Sequence, residues 1–187
     1  MKTFLENIYG ILFEPKSAIE KIIETKPMWQ AFTIILILSL TSAVLNNLDG
    51  FSNLTDVLFF IGNIFIILIS SLIIWFTLTG FFEATARVFS DECRFKPLLC
   101  LVSFSLVPWI LTAPLMLLKI NVPLIITSTI LELLIWLWSI VLIFLSVKQL
   151  YNLSTKKTWL FFAIPILGTI VAINWVSQFF AILTGIV

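Results

Sequence analysis

Long apolar runs, each able to cross a membrane as a helix, follow one another along most of this chain. They lie at about Gln30–Leu48, Val57–Gly80, Leu98–Leu118, Leu124–Val147 and Trp159–Val187. A helix needs about 20 apolar residues to cross the hydrocarbon core of a bilayer. The runs do not alternate between polar and apolar positions, which argues against the strands of a membrane barrel. The pattern predicts an all-α, polytopic membrane protein built as a bundle of five transmembrane helices.

A shorter amphipathic pattern precedes the first run. Pro15 suits the first turn of a helix, and Pro27 marks its end. The apolar residues between them recur at the three- and four-residue steps of one helix face, at Ala18, Ile19, Ile22 and Ile23. Glutamates interrupt this segment, so it does not resemble a signal peptide. The pattern predicts an N-terminal interfacial amphipathic helix.

The chain is therefore expected to form a single domain, 1–187, with two parts. Residues 1–28 form a cytoplasmic interfacial amphipathic segment, and residues 29–187 contain the five transmembrane helices. Two roles remain open for the segment, with Pro15, Ile19, Ile22 and Ile23 as its candidate residues. It either anchors the first span at the membrane or offers a docking surface to a cytoplasmic partner. The anchor is favoured, because the segment has equal numbers of Glu and Lys and so attracts anionic lipid only weakly.

The charge distribution predicts the orientation. The chain is 60% hydrophobic and only 11% charged, with a mean hydropathy of +1.14, whereas a soluble domain is about a quarter charged. Ten of its 11 basic residues fall on one side of the five-span arrangement, and the other side has only Lys119. The ten are Lys2, Lys16, Lys21, Lys26, Arg87, Arg94, Lys96, Lys148, Lys156 and Lys157. Because basic residues mark the cytoplasmic side, we expect a cell-membrane protein with a cytoplasmic N-terminus and an extracytoplasmic C-terminus.

Candidate catalytic chemistry is sparse. The chain has no His, which removes the usual general base and His-containing metal sites. The two cysteines have too few ligands around them for a metal site. Glu83 and Arg87 stand four residues apart and form a candidate cytoplasmic ion pair on one helix face. We therefore expect no enzyme activity, no cofactor, no bound metal and no nucleic-acid partner.

Glu132 is the exception, because it lies inside the fourth predicted span. Ionisable groups at such depth cost about 3 kcal/mol to insert and are functional-site candidates. One interpretation is a proton or cation site. The favoured one is a protonated carboxyl that hydrogen-bonds a neighbouring helix, with Asn63 and Asn174 as candidate partners in a polar intramembrane site. In the third span, Pro108 and Pro114 are candidate helix kinks.

Two stretches resemble the Yip family, the membrane domains named after proteins that interact with Ypt/Rab GTPases, and its bacterial branch in particular. One is GILFEPKSAIEKI, followed by a proline and Trp29, and the other is CRFKPLLCLVSFSLVPWIL at the third span. The longer cytoplasmic N-terminal region of the eukaryotic members is not present in this sequence. The resemblance implies a non-enzymatic adaptor, or an assembly or trafficking factor, that acts on membrane lipids and other membrane proteins, such as an export complex. A homo-oligomer is compatible with it. The alternative is a small oligomeric transporter or channel that uses Glu132.

Overall fold

The computed structural model describes residues 2–45, 54–90, 92–119 and 125–164, and these residues form helices and turns without a strand. The helices are α1 (Lys2–Phe13), α2 (Pro15–Thr25), α3 (Met28–Leu45), α4 (Leu54–Ala86), α5 (Phe95–Ser105), α6 (Thr112–Lys119) and α7 (Ile125–Leu150). A 3₁₀ segment, Val107–Leu111, joins α5 to α6, and residues 155–164 are also helical. The all-α prediction is confirmed for the described part of the chain.

Within the part of the chain that the structure describes, four stretches are long and apolar enough to cross a membrane. They are Met28–Leu45, Phe59–Ala86, Phe95–Met116 and Ile126–Leu150, and they correspond to the first four predicted spans. The fifth, Trp159–Val187, is described only as far as residue 164, and its described residues are helical. Five spans therefore stay a prediction, while a membrane protein with several apolar helices is established.

Helix α5 lies at the centre of the bundle. Every residue from Pro97 to Ser105 is buried, and the helix contacts α2, α3, α4 and α7. Small side chains let helices approach closely in lipid, and α5 offers Cys100, Ser103 and Ser105 for such contacts. The outer helices differ, because only 6% of the most apolar window of α4 and 22% of that of α7 is buried. Their exposed apolar faces suit contact with lipid.

The third span is broken near its middle. Helix α5 ends at Ser105, and the backbone continues as a 3₁₀ segment in which Pro108 is the second residue. Proline lacks the N–H that the helical ladder requires and collides with the preceding turn, so it ends α5 there. Pro114 lies in the first turn of α6, where its missing N–H breaks no intrahelical bond. The two prolines therefore have different effects, and the break is at Pro108.

The N-terminal helices α1 and α2 pack against the bundle. A Cβ at Gly10 would lie 3.1 Å from the Cβ of Ala18, so the two helices approach closely at this point. Ile19 and Ile22 of α2 are fully buried, and α2 contacts α5 and α7. The apolar stripe of α2 thus faces protein, and whether the segment also lies in the membrane interface stays a prediction.

Candidate functional site

A hydrogen-bonded cluster joins three helices at the end of the bundle where α5 begins and α7 ends. The carboxylate of Glu83, on α4, accepts a hydrogen bond of 3.0 Å from the backbone N–H of Arg94 and one of 2.6 Å from the hydroxyl of Tyr151. The guanidinium of Arg94 donates to the carbonyl of Leu150 at 2.6 Å and pairs with Glu92. We call Glu83, Arg94 and Tyr151 the polar clamp.

The contact between Glu83 and Tyr151 in the polar clamp is shielded from solvent. Glu83 is 4% exposed and Tyr151 is 7% exposed, and the Tyr151 ring lies 6.5 Å from that of Phe161. Burial raises the pKa of the Tyr151 phenol above its usual range, and the hydrogen bond to Glu83 raises it further. A buried carboxylate is costly unless it is hydrogen-bonded. Because both carboxylate oxygens of Glu83 accept hydrogen bonds, the clamp meets this requirement while tying α4, α5 and α7 together.

The structure gives Glu83 partners other than Arg87, and the ion pair of Glu83 with Arg87 stays a prediction. Glu83 lies in the last turn of α4, and Arg87 is the first residue after this helix. The Glu83 side chain, however, turns inward, toward Tyr151. Arg87 is exposed, and its guanidinium lies 4.0 Å from the Cys93 sulfur. The ion pairs of the described residues include Lys21 with Glu6 and Arg94 with Glu92. Glu83 is buried, and inside the protein its carboxylate accepts hydrogen bonds from two donors, the Arg94 backbone N–H and the Tyr151 hydroxyl.

Glu132 lines an open cavity of about 520 Å³. The walls come from the end of α3, the 3₁₀ segment, α6 and the first half of α7, and they include Trp109 and Trp136 beside the hydroxyls of Ser42, Thr112 and Thr129. The break at Pro108 separates α5 from α6, so this cavity sits beside the kink that the sequence predicts. Its described lining comes from one half of the bundle.

The structure does not place either of the two asparagines predicted as partners of Glu132 in the wall of this cavity as described. Asn63 lies half-buried on α4, a helix that contributes no described residue to the cavity wall. Asn174 lies outside the described residues. The three-residue polar site thus stays a prediction, and the structure adds hydroxyl-bearing and indole side chains to the surroundings of Glu132.

Sequence reasoning missed Arg94 and Tyr151 as partners of Glu83. They are 11 and 68 residues away from it, and helical periodicity relates only residues a few positions apart. The available signal was chemical: a glutamate inside a helix that is otherwise apolar requires donors. Among described residues no three His, Cys, Asp or Glu side chains are arranged to hold a metal ion. The clamp itself consists of groups that already bond one another, which is the arrangement of a structural connection.

In a comparison with known protein families, residues 9–177 of the chain match the family model of the Yip1 domain. The match covers α2 to α7 whole and the last part of α1, residues 9–13, so it includes the polar clamp and the Glu132 cavity. No curated protein and no solved structure matches the chain.

Proposed function

Because the chain belongs to the Yip1 domain family, we propose that it is a non-enzymatic integral membrane protein of the Yip type. It acts as an adaptor, or as an assembly or trafficking factor, for other membrane proteins or lipids. Partners of this kind include the subunits of an export complex and further copies of the same chain. The absence of His from the sequence supports a role without general acid–base catalysis.

The outer face of α4 is the observation that carries this proposal. Its exposed large residues are apolar, among them Phe65, Ile66 and Ile73. Small residues interrupt them: Gly62, Ser70 and Thr77 are all exposed. Apart from its chain neighbours and the nearby backbone of α4, nothing lies within 4 Å of a Cβ added at Gly62. Association of helices in lipid uses such gaps, because apolar side chains alone gain nothing over lipid contact. This face suits a partner helix.

Filling these gaps tests the proposal. The double variant Gly62→Leu and Thr77→Leu adds bulk to the outer face of α4 without touching the core. After isolation in mild detergent, we expect co-isolated membrane proteins, quantified by mass spectrometry, to fall at least tenfold relative to the unmodified chain. The control is Thr33→Leu with Thr127→Leu, which places two leucines at exposed positions of α3 and α7. Equal recovery of the same proteins with all three forms would contradict the role of this face.

The proposed location is the cell membrane, with the N-terminus in the cytoplasm and the C-terminus outside. The two cysteines provide a test in the unmodified chain, because Cys93 is exposed and Cys100 is buried. A membrane-impermeant thiol reagent should label Cys93 only after the membrane is opened. It should label Cys100 only after the chain is unfolded. Labelling of Cys93 in intact cells would reverse the proposed orientation.

A further inference from the structure

A second open cavity, of about 540 Å³, lies between the end of α2 and the start of α5. Three cationic side chains line it, those of Lys26, Arg94 and Lys96, and none of its described lining residues is acidic. Its other walls are mainly apolar and include Ile23, Phe95 and Pro97. We call it the basic pocket. It combines positive charge with apolar surface and is therefore complementary to an amphiphilic anion.

The fold brings Lys26 to Arg94 and Lys96, which already lie two residues apart in the sequence. Lys26 ends α2 in a left-handed conformation, with φ of 46°, and its backbone N–H bonds the carbonyl of Ile22. Arg94 precedes α5 and is held through its own backbone by Glu83 of the polar clamp. Both walls of the basic pocket are therefore positioned by backbone contacts. The N-terminus of α5, where Lys96 lies, adds a favourable dipole for an anion.

The position of the basic pocket along the membrane normal follows from the spans. Lys26 lies two residues before the apolar stretch Met28–Leu45, and Phe95 is the first residue of the stretch Phe95–Met116. The pocket thus sits where two membrane-crossing segments begin, on the side that carries most of the basic residues. This is the depth at which phospholipid headgroups lie.

We propose that the basic pocket binds the phosphate-bearing headgroup of an anionic membrane phospholipid. Basic pockets between transmembrane helices are suited to anionic headgroups. The two lysines supply the charge that is still available to a ligand, because the Arg94 guanidinium already bonds Glu92 and the Leu150 carbonyl. The apolar wall formed by Ile23, Phe95 and Pro97 favours a lipid over free phosphate, since it can contact the lipid's glycerol and upper acyl carbons. This inference concerns lipid binding and holds whether or not a protein partner docks on α4.

The test uses the full chain in phosphatidylcholine nanodiscs that contain a small fraction of spin-labelled phosphatidylglycerol. The probe variant is Lys26→Gln with Lys96→Gln, and the matched control is Lys156→Gln with Lys157→Gln. Both remove two exposed lysines, but only the first pair lines the pocket. At roughly 1 kcal/mol per lysine, we expect the probe variant to bind the labelled lipid about 10- to 30-fold more weakly. The control should stay within about twofold of the unmodified chain.

Two further arms make the result decisive. Lys26→Arg with Lys96→Arg keeps the charge and should bind the labelled lipid nearly as well as the unmodified chain, while equal melting temperatures exclude misfolding. Inorganic phosphate at millimolar concentration should not release the lipid. Equal loss in the probe and control variants, or loss in neither, would overturn the proposal. Full release by inorganic phosphate would assign the pocket to free phosphate instead.

Discussion

The hydroxyl of Tyr151 donates a hydrogen bond of 2.6 Å to the buried carboxylate of Glu83, which lies 68 residues earlier in the chain. The contact joins the end of α7 to α4, two helices that otherwise present exposed apolar faces to their surroundings. Because Glu83 also accepts the Arg94 backbone N–H, a single carboxylate fixes the relative position of three helices.

Tyr151→Phe should destabilise the protein by about 1.5–3 kcal/mol, because it removes a hydrogen bond to a charged and buried group. The free energy of unfolding can be measured by denaturant titration in detergent micelles. Tyr9→Phe is the matched control, since Tyr9 is 62% exposed on α1, and it should change stability by no more than about 0.5 kcal/mol. Equal effects of the two substitutions would show that the clamp does not contribute to stability.

Alkaline pH should weaken the fold through Tyr151. Burial and Glu83 raise the pKa of this phenol above its ordinary value, which is about 10 in an unfolded chain. Below that pH both states keep the proton and the stabilisation is complete. Above it the unfolded chain loses the proton while the folded chain retains it, so the free energy of unfolding falls as pH rises.

The contribution of Tyr151 is isolated by comparison with Tyr151→Phe. The stability advantage of the unmodified chain over this variant should shrink between about pH 9 and pH 11. Unfolding curves measured across this range supply the difference, and lysine titration affects both proteins alike. A constant difference would mean that the phenol titrates at its ordinary pKa in the folded protein.

Ile19→Ser with Ile22→Ser should open α2 while the membrane spans still insert. Both side chains are fully buried, and each contributes roughly 1.5–3 kcal/mol of apolar burial. Amide exchange should accelerate across residues 15–25 and stay slow in α5. The control, Lys16→Ser with Glu24→Ser, changes two exposed positions of the same helix. Fast exchange of α2 already in the unmodified, lipid-embedded protein would contradict its packing on α5 and α7.

Glu132→Gln should keep the fold, because a glutamine side chain can donate and accept hydrogen bonds as a protonated carboxyl does. Glu132→Lys should lower the amount of monodisperse protein, since a lysine introduces a charge costing about 3 kcal/mol at the centre of a span. Size-exclusion chromatography of membrane extracts measures both outcomes. A well-folded Lys variant would show that the cavity beside Glu132 is open to water.

Much of the architecture could be predicted from local patterns. Apolar runs of sufficient length indicate helices in lipid because every backbone polar group must be satisfied within the segment. The predicted ends of the spans differ from the helix ends in the structure where a buried polar residue lies beyond the apolar run. The second predicted span stops at Gly80, but α4 continues to Ala86, because Glu83 finds its partners inside the protein and not in water.

The candidate site was less predictable because it depends on residues far apart in sequence. Pro108 predicts a helix break because proline lacks a backbone N–H, and the structure has a 3₁₀ segment at this position. The polar clamp and the basic pocket have no comparable local signal. Lys26 and Lys96 are separated by two complete spans and meet only because α2 packs against α5.

Site-specific photo-crosslinking in native membranes tests the adaptor role most directly. A photoreactive amino acid replaces Ser70 on the exposed face of α4, and Thr127 on the exposed face of α7 serves as the control position. The adaptor role predicts a discrete protein adduct from position 70 that is absent from position 127. Adducts with lipid alone from both positions would contradict it.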